Sequence, residues 1–378
     1  MGTDSDPSAA QHCLSSNVSD HRTGPLGELV LIWRRARFAD GNWYDGDLVR
    51  CLADCNEMKP MQLESKCPAC ATGDITQHGD YGKFNTLACD HCGHMLLERS
   101  NAPSQSDDYI VANQAALQLM LKATREKEFD MAVLLAKKHV PQGSWLDIGC
   151  SYGWFLQRIQ YGGYEAFGVE PSPTAFALAK EAFPGKVLNG EFPTVLRDAP
   201  GFPEDFEVMS AMDVLEHIQD PSEFLQSARN LAEPGVLLLK VPCNDGVLFR
   251  LASVLSSRSR NGLLGRLWQV DFNYPHWHYY SKRSIAQMLE RHGFTVIAER
   301  AIPFSFFSTA HDRVRTYDGK PEPILLHLGK TLAAYGLICL SYLLQRFDNI
   351  IVLAKPTSAN AFHADDFRTG GSNHKGLD

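Results

Sequence analysis

The chain has 378 residues, 44% of them hydrophobic and 21% charged, with a net charge of −8; that length suggests two or three folded units, each burying an ordinary core. No long basic block is present, so a phosphate backbone is a disfavoured partner and no nucleic acid is expected. Of ten cysteines, four sit in two tight pairs, and Cys13, Cys51, Cys55, Cys150, Cys243 and Cys339 are scattered without a disulfide rhythm, which points to a reducing, cytoplasmic setting.

Residues 1–60 show little periodicity apart from the run Leu29 to Trp33, and read as a disordered or loosely attached segment. The start lacks a charged region followed by an apolar one, so a secretory signal is not expected. Met58 and Met61 stand directly before the first recognisable module, and either is a candidate natural start.

Residues 61–105 read as a zinc ribbon. Cys67-Pro68-Ala69-Cys70 and Cys89-Asp90-His91-Cys92 form two C-x2-C knuckles, and the spacing between them suits a tetrahedral four-thiolate site. Thr76 to Leu87 is long enough for a hairpin. Four protein ligands leave no position for a substrate, so Cys67, Cys70, Cys89 and Cys92 are expected to hold a structural Zn2+ that so short a segment needs in order to fold. His91 or His94 replacing a thiolate, and a redox disulfide, are the lesser alternatives.

From Ser106 onward helices alternate with short apolar strands, the pattern of an α/β fold with a parallel sheet, and residues 106–300 read as its core. A helical region from about 113 to 140 leads in. Strands are expected at 144–147, 165–170, 186–188, 206–210 and 236–241. Ser172 before Pro173, and Asp220 before Pro221 with Glu223, read as helix caps; Ser281 opens a further helix that Gly293 ends. Residues 301–356 read as a helical insert with a final strand, and 357–378 as a flexible tail.

The most informative stretch is Ser144 to Leu156: an apolar strand ending in Asp147, then a turn with Gly149, Ser151 and Gly153, then a helix. Glycines there let backbone approach a nucleotide-like ligand above the strand ends. The spacing is not that of a pyrophosphate-binding G-x-G-x-x-G, and Asp147 would repel phosphates but could meet a cationic amino-acid group. Twenty-three residues later Glu170 ends the next strand, placed to accept hydrogen bonds from ribose hydroxyls.

With these motifs in order (Asp147 to Gly153; Gly168 to Ser172; Asp213 to Pro221; Pro275 to Ser281 with Gly293-Phe294) the chain from about 106 to 355 resembles the class I S-adenosylmethionine-dependent methyltransferases. The resemblance implies a Rossmann-like seven-stranded sheet whose last strand, 350–353, runs antiparallel between 236–241 and 294–297. It implies that Asp147, Gly149, Ser151 and Gly153 border the methionine part of the cofactor and Glu170 its ribose, that Gly190 and Glu191 lie near adenine, and that Asp213 adjoins the pocket. Ser151 stands where many relatives carry glycine.

Glu216 and His217, in Asp213-Val214-Leu215-Glu216-His217, follow the fourth strand at the edge where the cofactor's methyl should point, and either could act as general base. The alternative is that they shape the pocket and cap the next helix. The similarity to ubiquinone-pathway O-methyltransferases here further suggests a carboxylate-histidine cluster able to hold a divalent ion. His276, in Tyr274 to Tyr280, is the other base candidate, against plain aromatic packing. Phe304, Phe306 and Phe307 could line an acceptor pocket or simply join the core.

The acceptor expected from the resemblance is small or carrier-linked: a sugar, polysaccharide or lipid intermediate. The alternatives are an RNA methyltransferase with a zinc ribbon, and a non-catalytic module binding cofactor and zinc. The stretch Thr331 to Gln345 is too short to cross a bilayer, and residues 324–344 read as burying against the sheet or a subunit, with weak membrane-surface contact as the other reading.

Overall fold

The computed structural model describes residues 66–357 apart from 82–83, 99–106, 198, 233–234, 257–261, 271–273 and 316–321, and of residues 107–120 the backbone only. The expectations for 1–60, for the start at Met58 or Met61 and for the tail beyond 357 lie outside these residues.

The first elements are β1 (Ile75–Asp80), β2 (Asn85–Cys89) and β3 (Met95–Glu98), joined antiparallel. The expected hairpin is thus β1 with β2. A long helix, α1 (Asp107–Lys137), leads into β4 (Ser144–Ile148), α2 (Trp154–Tyr161), β5 (Glu165–Glu170), α3 (Pro173–Ala182), β6 (Val187–Asn189) and β7 (Val208–Met212). Then follow α4 (Ser222–Leu231), β8 (Val236–Pro242), α5 (Val247–Ser256), α6 (Leu263–Leu267), β9 (His278–Tyr279), α7 (Lys282–Arg291), β10 (Phe294–Ile302), α8 (Ala310–Arg313), α9 (Ile324–Leu344) and β11 (Asn349–Pro356).

The main sheet has the order β10-β11-β8-β7-β4-β5-β6, parallel from β8 to β6, with β11 antiparallel to both its neighbours. This is the expected seven-stranded arrangement. The strands read as continuous apolar runs because both faces are covered. On one face Trp145, Val208, Leu238 and Ile351 pack with Phe129 and Ala132 of α1 and Phe155 and Ile159 of α2. On the other, Leu146, Met209 and Leu237 meet Phe224 and Leu225 of α4 and Ile285 and Met288 of α7. Successive residues of one strand therefore serve opposite cores.

The local caps follow the sequence with one shift. The Ser172 hydroxyl accepts the Ala175 N–H with Pro173 in the first turn, and Ser281 and Ser284 close a capping box. Pro221, not Asp220, is the boundary residue of α4, while the Asp220 carboxylate accepts the Ser222 N–H at 3.0 Å, two residues on. The proline's fixed φ starts the helix one position later than expected.

Two features were not foreseen. The small sheet has the order β1-β2-β3-β9, so its fourth strand comes from the segment just before α7. The four cysteines join the same buried cluster as β4, β7 and α7. Secondly, α9 runs for 21 residues, long and apolar enough by length and composition to cross a membrane. The shorter stretch read from the sequence stopped at Lys330; one lysine does not end a helix, and its ammonium pairs with Glu322 beyond the helix start. Nor is α9 mainly buried: only 22% of its apolar window lies inside the protein.

Candidate functional site

In the main sheet the strand order reverses at β4, with β5 on one side and β7 on the other, which opens a crevice at the carboxyl ends of these three strands. Asp147, Glu170 and Asp213 lie at those three ends. The crevice is lined by Asp147, Gly149, Ser151, Tyr152, Trp154 and Met212, with Arg125 of α1 closing one side.

The turn after β4 is shaped by backbone that only certain residues tolerate. Gly149 has φ +75°, and a Cβ there would stand 2.7 Å from Val214 Cγ2, so a side chain is excluded on two counts. Gly153, at φ 76°, opens α2. Ser151 adopts φ 49°, in the left-handed region that favours glycine. Asp147 is buried; its Oδ1 accepts the Ser210 hydroxyl at 2.7 Å, and Ser210 Oγ accepts the Trp145 indole N–H at 2.8 Å. Burial, reinforced by the charge of Glu170 and opposed by the Ser210 bond, pushes the Asp147 carboxyl up to about 8.

Glu170 faces the same turn. Its two oxygens accept the backbone N–H groups of Ser151 (2.7 Å) and Ser172 (2.8 Å), while burial raises its pKa against those bonds. Each oxygen keeps a second lone pair able to accept a further hydrogen bond. Gly190 and Glu191 follow β6; the Glu191 side chain is exposed.

Asp213 also lies at a left-handed φ, 59°. It belongs to a buried ionic group that the sequence reading missed. Lys240, in β8, reaches Glu128 of α1 at 2.7 Å and Asp213 at 2.8 Å, with Arg125 3.9 Å from Asp213. Burial would raise the Asp213 pKa, but Lys240 and Arg125 outweigh it and hold the carboxylate ionised; burial likewise opposes the Lys240 charge, and Asp213 and Glu128 sustain it. A signal was present: Lys240 is the one charge in the apolar strand Val236 to Pro242, where a lysine needs partners.

Beyond Asp213, Glu216, His217 and His276 bring one ligand-type atom each to within 4.8 Å of one another. The chain thus unites the two segments proposed from sequence as sources of a base. His217 Nδ1 faces the Pro275 carbonyl oxygen at 3.1 Å, so it carries the proton and Nε2 keeps its lone pair. Burial lowers the His217 pKa, and lowers that of His276 further with help from the neighbouring His217. Burial and then Asp213 push Glu216 well above the carboxylate range. Glu216 Oε2 and His276 Nδ1 are buried without a hydrogen-bond partner, so the group could move a proton or receive a cation. Of the three phenylalanines, Phe304 is buried with Ala310, Ala334 and Ile338, Phe306 packs on the α1 core, and Phe307 is exposed; this is core packing, which the structure favours over a common pocket.

The four cysteines are buried and unpaired as disulfides. Cys67 and Cys92 sulfurs lie 3.6 Å apart and those of Cys70 and Cys89 3.7 Å. A tetrahedron with zinc–sulfur bonds of about 2.3 Å has edges of about 3.8 Å. Backbone N–H groups of Ala69, Gly73 and Cys92 point at Cys67, Cys70 and Cys89 sulfurs, as suits thiolates. The donor set therefore fits zinc. This ribbon is fastened to the segment bearing His276. The Leu97 N–H donates to the Trp277 carbonyl (3.0 Å), the Trp277 N–H donates to that of Glu216 (2.7 Å), and the buried His94 and His278 rings share a hydrogen bond of 3.1 Å.

Comparison with known proteins matches residues 121–299 to the family model of a methyltransferase domain. The mitochondrial ubiquinone biosynthesis O-methyltransferase of Schizosaccharomyces pombe is 32% identical over 112 residues, 29% of this chain and 41% of that protein. The ubiquinone biosynthesis O-methyltransferase of Rhodopseudomonas palustris is 30% identical over 110 residues, 29% of this chain and 44% of its own. The chain thus spans less than half the length of either. Among solved structures, a chain of the complex between the Haloferax volcanii Trm112 methyltransferase activator and a methyltransferase aligns with a TM-score of 0.45 and 14% identity, covering 67% of this chain and 99% of that one.

Proposed function

We propose that the chain, whose residues 121–299 match the family model of a methyltransferase domain, is a class I S-adenosylmethionine-dependent methyltransferase that transfers a methyl group from that cofactor to a hydroxyl oxygen of a small or carrier-linked acceptor. The observation that carries this reading is His217: a half-buried imidazole, kept neutral by its surroundings, whose Nδ1 proton is held by the Pro275 carbonyl and which stands four residues beyond Asp213 of the crevice lining. The names of the matched relatives support an oxygen acceptor and, within it, a phenolic quinone precursor ahead of a sugar.

When bound, S-adenosylmethionine supplies a methyl group made electrophilic by its sulfonium. Asp147 would meet the ammonium of the cofactor's amino-acid end, and the oxygens of Glu170 would take the ribose hydroxyls with lone pairs that the Ser151 and Ser172 N–H groups leave free. Asp213, held ionised by Lys240, borders the same edge. His217 Nε2 would serve as the base that takes the acceptor's hydroxyl proton. His276, its Nε2 2.8 Å from the Gln269 amide nitrogen, fills the space behind His217. A structural zinc on Cys67, Cys70, Cys89 and Cys92 holds the ribbon, and through it the Pro275 to Tyr280 segment.

The test incubates the full chain with methyl-labelled S-adenosylmethionine and cell extract, then separates label into organic-soluble, small aqueous, glycan and macromolecular fractions. The expected result is organic-soluble label that His217→Ala removes while cofactor binding remains. Label confined to the macromolecular fraction, or none above background with cofactor bound, overturns the reading.

A further inference from the structure

The inner side of α9 is fixed to the protein. Thr331, Ala334, Ile338 and Ser341 are its buried residues, and Ala334 and Ile338 pack with Phe304 and Ala310. Their spacing of three, four and three puts them on one stripe. The opposite stripe, Leu325, Leu332 and Leu343, is 83%, 59% and 78% exposed. At 100° per residue these three lie within about 20° of one another and almost half a turn from the buried stripe. His327 falls on the buried stripe and Lys330 beside it, and both turn towards Glu322. The outermost face of a 21-residue helix is therefore leucine, with no charge on it.

This face is not isolated. Leu248 of α5 packs into the cluster that anchors α9, and α5 exposes Leu251, Val254 and Leu255. Monomeric proteins rarely leave so much contiguous apolar surface uncovered. The charges around it select the occupant. In a chain whose net charge is −8, the helices α5, α6 and α9 contain Arg250, Arg266 and Lys330 and no aspartate or glutamate; Lys330 is paired with Glu322, and of the flanking charges Asp245 and Arg346 are half-buried and Asp348 is buried, so that Arg250 and Arg266 are the exposed charges of these helices. A second copy meeting this face through a two-fold axis would set arginines against arginines. An anionic bilayer instead offers acyl chains for the leucines and phosphate headgroups for the arginines.

We propose that α9, with the exposed side of α5, is a membrane-docking face by which the protein lies reversibly on an anionic lipid surface. The packed inner stripe keeps α9 parallel to that surface; a spanning helix would have to leave its contacts with Phe304 and Ala310. On its inner side the anchoring cluster includes Ala310 of α8, and α8 packs on α1, the helix that supplies Arg125 and Glu128. Docking does not depend on the acceptor proposed above, since it is measured without acceptor or cofactor.

The experiment is flotation of the full chain with phosphatidylcholine vesicles, with and without phosphatidylglycerol, at low and high salt. The expected result is binding to the phosphatidylglycerol vesicles that salt weakens. Changing Leu325, Leu332 and Leu343 together to glutamate should lower partitioning by more than about 100-fold, and Arg250→Gln or Arg266→Gln by roughly fivefold each. All five residues are exposed or outside the anchoring cluster, so S-adenosylmethionine binding in each variant checks the fold. Failure to float with either vesicle, unchanged flotation of the triple variant, or a concentration-dependent dimer abolished by that variant in place of lipid binding would overturn the proposal.

Discussion

At the cofactor crevice, Asp147, Gly149, Ser151 and Gly153 lie within seven residues of one another, and the turn they form is braced by Glu170 from the neighbouring strand. At the ribbon, by contrast, contacts join distant parts of the chain: Ser281 Oγ donates to the Cys92 carbonyl at 2.6 Å across 189 residues, and Asn244 to that of Gly93 at 2.6 Å across 151. The crevice can therefore keep its shape through local backbone geometry, whereas the segment carrying His276 keeps its place only while the ribbon is folded. Binding and proton removal should then fail separately.

Removing zinc puts the most at stake. A four-thiolate site of this kind carries on the order of 10 kcal/mol of metal-binding free energy. Chelation, or Cys92→Ala, is expected to release one zinc by elemental analysis, lower the thermal midpoint sharply and abolish methyl transfer, with S-adenosylmethionine still bound at β4. If cofactor affinity collapses in step with the metal, crevice and ribbon are one cooperative unit and the contrast between them is wrong.

Next in size is His217→Ala, expected to slow transfer by roughly 10² to 10⁴-fold at unchanged cofactor affinity, the range for loss of a general base. Burial depresses the His217 pKa below 6.5, so the neutral, active form persists down to that value, and the rate should fall only as pH drops beneath it. A rate limb centred above pH 6.5 would assign the base elsewhere.

The Lys240 group tests the join between the two regions, since it ties α1 to β7 just ahead of His217. Lys240→Met leaves Glu128 buried without this cation and Asp213 with Arg125 alone, which should cost about 3 kcal/mol in denaturant unfolding. Adding Glu128→Gln should recover part of that loss. No recovery would mean that Lys240 acts through packing alone.

How far the sequence revealed these features tracks the same division. The turn from Asp147 to Gly153 and the two cysteine pairs were legible because each is a short pattern with its chemistry in adjacent residues. That His217 and His276 meet was not, because it depends on β9 pairing with β3, and a two-residue strand leaves no periodicity to read. Lys240 was visible as a charge in an apolar strand, but its partner Glu128 stands 112 residues earlier on a helix, beyond the reach of any local pattern. The bounds of α9, 324–344, were legible, but its apolar span was underestimated because the uncharged stretch was counted only from Thr331, when Lys330 is a side chain that bends back to Glu322.

The smallest expected effect is also the one most specific to the crevice. Burial pushes the Asp147 carboxyl up to about 8, so at neutral pH it is mainly protonated, with its Oδ1 still accepting the Ser210 hydroxyl. An ammonium group beside it favours the carboxylate, so binding S-adenosylmethionine must drive off that proton whenever the pH lies below 8. The folded, unliganded state holds more protons than the complex; affinity should therefore rise with pH, by up to roughly tenfold per unit, and level off above the Asp147 pKa. Titration calorimetry in buffers of different ionisation heat should register the released proton, and Asp147→Asn should flatten the slope while weakening binding. A wild-type affinity independent of pH between 6 and 8 would place the cofactor's ammonium away from Asp147, with the ionised Asp213 as the carboxylate left to receive it.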